Sequence, residues 1–191
     1  MAKESNLKRG FKAKAERLAI HYRELLTLHP WDPLCAFKLA ENLQISIYDI
    51  KEFVKNSIQL NLVSGTGGTD SEWSALTMVT SKGNRIIIHN GFHSPQRQQS
   101  NIMHELAHVI CEHELKEVVT DFSIPIGMRF FDDEQEEEAS CLGSTLQLSK
   151  PGLLWSRKRS MTYDDIATHF NASLEMVTYR MNITGVSKIK N

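Results

Sequence analysis

No stretch of this 191-residue sequence is apolar for long enough to cross a bilayer, and no set of cysteines is spaced to staple or ligate. Cys35, Cys111 and Cys141 lie far apart and form no C-x-x-C pair, a pattern that fits a reducing compartment rather than a disulfide-bonded secreted domain. Residues 1–27 mix Lys, Arg and Glu with periodic apolar residues and contain no continuous apolar core of a signal peptide. A cytoplasmic location is expected. Charge of one sign is also absent. Twenty-two basic residues against 23 acidic ones leave a net charge of -1, which gives no broad attraction to nucleic acid or to a membrane surface. There is no internal repeat and no low-complexity segment. The 41% hydrophobic content is enough for a buried core.

The periodicity predicts helices over residues 11–28 and 34–42, separated by Pro30 and Pro33, with Asp32 placed to cap the second. Residues 46–56 read either as a short helix or, from Ile45-Ser46-Ile47, as a strand. A glycine-rich loop at 65–71 precedes two β-prone runs, 74–80 and 85–89, whose Ser81-Lys82-Gly83-Asn84 connection predicts a hairpin. Ser94-Pro95 starts a helix expected to reach Glu114. A looser stretch follows over 115–131, and the acidic run after it opens a helix ending near Ser149. The tail reads as two helices, 163–170 and 174–184, with Thr162 and Ser173 as caps, in a helix-turn-helix outline. Three segments are expected: 1–57 as a helical attachment packed on the core, 58–150 as the core, and 151–191 as the tail.

His104-Glu105-Leu106-Ala107-His108 is an H-E-x-x-H motif. Residues four apart share one face of a helix, so both imidazoles can reach a single zinc ion (Zn2+). Glu105 lies about 100° round the helix, where it can take a proton from a metal-activated water and return it to a leaving amine. With 8 His and 15 Glu in the chain, the motif has roughly a 3% chance of arising by accident. Its context strengthens it. Ile102, Leu106, Val109 and Ile110 make an apolar stripe, with Met103 beside it, that packs this helix on a core.

Hydrolytic zinc sites commonly take three protein ligands. Cys111 and Glu114 stand where a longer H-E-x-x-H-x-x-G-x-x-H pattern needs Gly and His, which excludes that arrangement. His113 falls off the motif's face and reads as a solvated last-turn histidine, favoured there by the helix dipole. Most of the acidic run 132–138 reads as a charged first turn. Gln135, Ala139, Leu142 and Leu146 mark the inward stripe of that helix, with Glu136 and Glu138 on either side of it. Glu136 shares a face with Ser140 and Gly143, small enough to admit a neighbouring helix. The wheel leaves Glu136 and Glu138 both open as the third ligand.

The order of these segments resembles the ImmA/IrrE family of metallo-endopeptidases. Its members carry a strand ending in Asn, an Arg-containing approach, an H-E-L-x-H helix and an E-x-E-A-N-x-F-A-x-x-L-L-x-P helix. The counterparts here are residues 85–90, Arg97, His104 to His108, and Glu136-Glu137-Glu138-Ala139. Ser140, Leu142, Gly143 and Ser149 depart from the family's Asn, Phe, Ala and Pro. The resemblance implies that the first glutamate of the second motif, Glu136, is the third ligand, with Glu138 in reserve. It also implies a regulatory protease whose substrate is a specific protein such as a helix-turn-helix repressor.

Together these readings give an α+β fold: a zincin-like helical core, a small, mainly antiparallel sheet, and a helix-turn-helix-like tail. The expected activity is zinc-dependent peptide hydrolysis, with His104, His108 and Glu136 as ligands and Glu105 as general base and acid; manganese (Mn2+) suits the same donors. The alternative is a metal-containing regulatory module acting through protein or DNA contacts. Only Arg180 on the last helix is basic, which favours packing over DNA binding. His89 and His93 read as structural histidines near the cleft, and Cys111 as a small buried hydrophobe. If it lies at a sheet edge, the strand 85–89 can pair with an extended peptide.

Overall fold

A computed structural model describes residues 7–53, 74–80, 82–114 and 131–189. The expected glycine-rich loop at 65–71 and most of the loose stretch 115–131 lie outside the described residues.

Helix α1 (Phe11–Leu25) buries Phe11, Ala15, Ala19 and Arg23, the four-residue spacing that stacks side chains on one helical face. It ends earlier than the periodicity predicts. Thr27 turns to φ 59° and the Leu28 N–H returns to the Arg23 carbonyl at 2.8 Å, closing the helix end. Helix α2 (Ala36–Asn42) starts after Cys35, two residues later than expected. Asp32 does not cap it; its Oδ2 accepts from the His29 N–H at 2.8 Å and closes the preceding turn. Residues 46–49 form strand β1 (Ser46–Asp49), followed by a 3-10 turn over Ile50–Glu52 that Asp49 caps.

The hairpin is present as β2 (Ala75–Val79) and β3 (Arg85–His89), paired antiparallel with Thr77 opposite Ile87. Strand β1 pairs parallel with β3, so the sheet is mixed, in the order β1-β3-β2. This order places β3 in the centre, with both its edges paired. The expectation that residues 85–89 pair with a substrate peptide is therefore overturned.

Two helices carry the H-E-x-x-H motif and the acidic run: α3 (Pro95–Ile110) and α4 (Asp133–Gln147). Both pack into one core with α1, α2 and β3, built on Leu39, Ile87, Ile102, Leu106, Leu142 and Leu146. A second cluster, around Leu153, Ile166, Phe170, Val177 and Met181, gathers α5 (Lys150–Lys158), α6 (Tyr163–Phe170) and α7 (Leu174–Ile183). Helix α5 is absent from the sequence reading, although Ser149 with Pro151 carries the same cap-and-proline signal as Ser94-Pro95. The capping roles of Thr162 and Ser173 are as expected. No described helix is long and apolar enough to cross a membrane.

Two buried arginines tie these layers together. Arg23 donates through Nε to the Asp32 carbonyl (2.9 Å), through Nη1 to Ala19 (3.0 Å) and through Nη2 to Leu146 (2.9 Å), joining α1, the α2 approach and the end of α4. Burial lowers its pKa to about 10, so it stays charged at neutral pH. Arg180 donates through Nε to the Leu148 carbonyl at 2.9 Å and pairs with Glu16 of α1 at 2.7 Å. The one basic residue of α7 therefore points into the protein.

Replacing Arg23 with Met leaves four carbonyls, those of Ala19, Asp32, Leu146 and Gln147, without this donor and is expected to cost about 3 kcal/mol. For a chain of this size that is a fall in Tm of about 6–12 °C, measurable by thermal unfolding.

Candidate metal centre

Helix α3 begins as its sequence dictates: Pro95 occupies the first turn and Ser94 Oγ accepts from the Arg97 N–H at 3.3 Å. Its face of Ile102, Met103, Leu106 and Ala107 is fully buried, which fixes the rotation of the helix. His104 and His108 consequently stand one turn apart, with their Nε2 atoms separated by 3.1 Å. Asp132 and Gln135 form a reciprocal capping box that starts α4, so Glu136 leaves the first turn of that helix towards α3. Its Oε2 lies 3.0 Å from His104 Nε2, and its Oε1 3.6 Å from His108 Nε2.

These separations suit a metal ion. A tetrahedral zinc with ligand distances of about 2.0–2.1 Å has edges of about 3.3–3.4 Å between donors, close to those observed between the three side chains. Two imidazole nitrogens and a carboxylate oxygen are also the donor types zinc takes in hydrolytic sites. The His104 hydrogen bond, with the His108 imidazole beside it, holds the Glu136 carboxyl down at about 2. Burial lowers the His108 pKa, which favours the neutral ring that a metal requires. Glu105 is buried beside the cluster. Thr77 of β2 donates to its Oε2 at 2.6 Å, and burial raises its pKa against the opposing effect of that bond.

Residues 60–182, well over half of the chain, match the profile of peptidases with an IrrE N-terminal-like domain. The chain belongs to the ImmA/IrrE peptidase family. No curated protein matches the chain at a significant level. ImmA/IrrE peptidases are a metallopeptidase-type family, and the two helices that bring His104, His108 and Glu136 together both lie inside the matched span.

Within this family fold, three residues have places the sequence reading does not anticipate. His113 is the largest correction. Helix α3 stops at Ile110 rather than Glu114, because Glu112 takes φ 57° and the His113 N–H returns to the His108 carbonyl at 3.0 Å. The reversal folds His113 underneath the motif. It is 5% exposed, with Nδ1 2.9 Å from His108 Nδ1 and Nε2 3.1 Å from Glu138 Oε2. A glycine at this left-handed position would have signalled the turn; a glutamate does not. Phe131 stacks on the His108 ring, 3.5 Å between centroids and 11° from parallel. Thr77 is the third, and an isolated threonine on a strand carries no signal that it faces a glutamate.

The remaining candidates lie elsewhere. His89 is buried in β3, edge-on to Phe37, and His93 Nδ1 is 3.2 Å from the Asn101 amide. Cys111 groups with His113 and Glu138 rather than with His104, His108 and Glu136, and burial pushes its thiol up to about 11.

Gly143 sets the spacing of the two helices. A Cβ on it would meet the His104 Cα and N and the Met103 carbonyl at 3.1 Å. Alanine gains about 1 kcal/mol of helix propensity there and loses about 1–3 kcal/mol to overpacking. Gly143→Ala is thus expected to lower stability by about 0–2 kcal/mol while shifting Glu136 from the histidines and weakening zinc binding at least several-fold. Unfolding and metal titrations on the same protein separate the two effects.

Proposed function

We propose that the chain is a zinc-dependent endopeptidase in which His104, His108 and Glu136 hold the metal and Glu105 is the general base and acid. The observation that carries this reading is the convergence of two Nε2 atoms and one carboxylate, at 3.0–3.6 Å, beside a buried glutamate. When bound, zinc supplies Lewis-acid polarisation of a peptide carbonyl and acidifies water. Glu105 accepts the proton of the attacking water and later delivers it to the departing amide nitrogen. Thr77 orients the glutamate by holding one of its oxygens. The buried stripe of α3 keeps both imidazoles in place while this happens. Manganese fits the same donors and is the second metal to test.

The proposed substrate is a specific protein in the cytoplasm, with a helix-turn-helix repressor as the class that membership of this family supports. The tail helices act by packing rather than by contacting DNA, a reading supported by the inward engagement of Arg180 with Leu148 and Glu16.

The wild-type chain purified without chelator is expected to carry about one zinc, and His104→Ala to lose it. Glu105→Gln is expected to retain the metal and lower cleavage of a synthetic peptide library by about 10²–10⁴-fold. Elemental analysis and peptide mass spectrometry read the two results. Unaltered cleavage by Glu105→Gln would remove that residue from the chemistry.

A further inference from the structure

We propose that His113 and Glu138 are positioning residues that fix the tautomer and orientation of His108 as a metal ligand. The proposal rests on the zinc reading above.

The Nε2 of His108 faces His104 and Glu136, while its Nδ1 faces His113. A neutral imidazole carries one N–H and one lone pair. A metal at Nε2 takes the lone pair, so the proton belongs on Nδ1 and is donated to His113 Nδ1 across 2.9 Å. His113 then carries its own proton on Nε2 and donates it to Glu138 Oε2 across 3.1 Å. Each donor in this order meets an acceptor. The reverse order places the lone pair of His113 Nε2 against a carboxylate oxygen and puts a proton where His108 must bind the metal. The carboxylate at the far end therefore selects the ligating tautomer two rings away.

The surroundings hold this chain rigid. His108 is 1% exposed, and the side chains of His113 and Glu138 are 5% and 8% exposed, so water does not compete for the bonds. Phe131 covers the His108 ring, and Arg85 Nη2 donates to the His113 carbonyl at 3.3 Å. Lys8 Nζ lies 3.5 Å from Glu138 Oε1 and places a positive charge beside the end of the chain.

A rival use of the same atoms is a second metal bound by Cys111, His113 and Glu138, whose donor atoms lie within 4.8 Å of one another. That site needs the lone pair of His113 Nε2, which the donor chain occupies with a proton. Lys8, Arg9 and Lys14 line the same hollow with Glu112, Glu114 and Glu138, so its charges balance and the metal count per chain decides between the two uses.

The test measures zinc affinity of the full chain by competition with a chromogenic chelator, for the wild type, Glu138→Gln, His113→Phe and the double variant. Both single variants are expected to bind zinc about 10–100-fold more weakly, and the double variant no more weakly than His113→Phe. Thermal unfolding of the metal-free proteins identifies any variant that does not fold. Ring-nitrogen NMR of the zinc-loaded wild type gives an answer that needs no variant: Nδ1–H on His108 and Nε2–H on His113. Unchanged affinity in folded variants, or the opposite tautomer on His113, overturns the proposal. Two zinc ions per wild-type chain, one of them lost in Glu138→Gln, overturns it in favour of the second site. No zinc in the wild type defeats the zinc reading itself, and the positioning role with it.

Discussion

The arrangement depends on how closely α4 lies against α3 at Gly143. A helix displaces its neighbour by the bulk of the side chains between them, and here that bulk is missing opposite the backbone of Met103 and His104. The approach brings a glutamate within hydrogen-bonding distance of a histidine on another helix. It also explains why two acids only two residues apart do different things. Glu136 reaches His104 and His108 from the half-exposed side, whereas Glu138 turns under the motif to His113. A wider spacing would leave both as solvated charges at a helix N-terminus, the ordinary fate of such a run.

That close contact is held from outside by groups away from the His104–His108–Glu136 cluster. Arg23 donates to the Leu146 and Gln147 carbonyls at the C-terminal end of α4 and to two more on its own side, so α1 and α4 cannot separate without unpairing the two acceptors of α4. Glu16 on the same helix receives both Arg180 of α7 and the Lys150 N–H that begins α5. The tail is thus anchored to α1 by polar bonds at the margin of its own apolar cluster. Residues 7–53 lie outside the span that matches the family profile, yet α1 from this region braces the helix carrying Glu136. The sheet contributes through Thr77, which holds Glu105, and through Arg85, which holds the turn after α3.

Much of this was legible from local pattern. Ser94-Pro95, the acidic cap of α4 and the Thr162 and Ser173 caps marked helix starts, because orphan N–H groups are met by side chains within three residues. The hairpin followed from two β-prone runs joined by Ser81-Lys82-Gly83-Asn84. Helix ends were less legible. Thr27 and Glu112 adopt left-handed conformations without being glycine, and the helices before them stop at Leu25 and Ile110, short of the expected Leu28 and Glu114. The strand at 46–49 competed with a helical reading because four residues are too few for period alone to decide.

By itself, the sequence determined the spacing of His104, Glu105 and His108, since helical geometry follows from a core-facing stripe and a capped start. It also determined that an acidic helix follows and that the fold is α+β. Only the tertiary structure decided which acid meets which histidine, that β3 is central and closed to a peptide, and that His113 is buried rather than solvated. Those outcomes depend on a helix-to-helix distance, a strand order and a chain reversal, each produced by packing between residues distant in sequence. No local pattern encodes such packing.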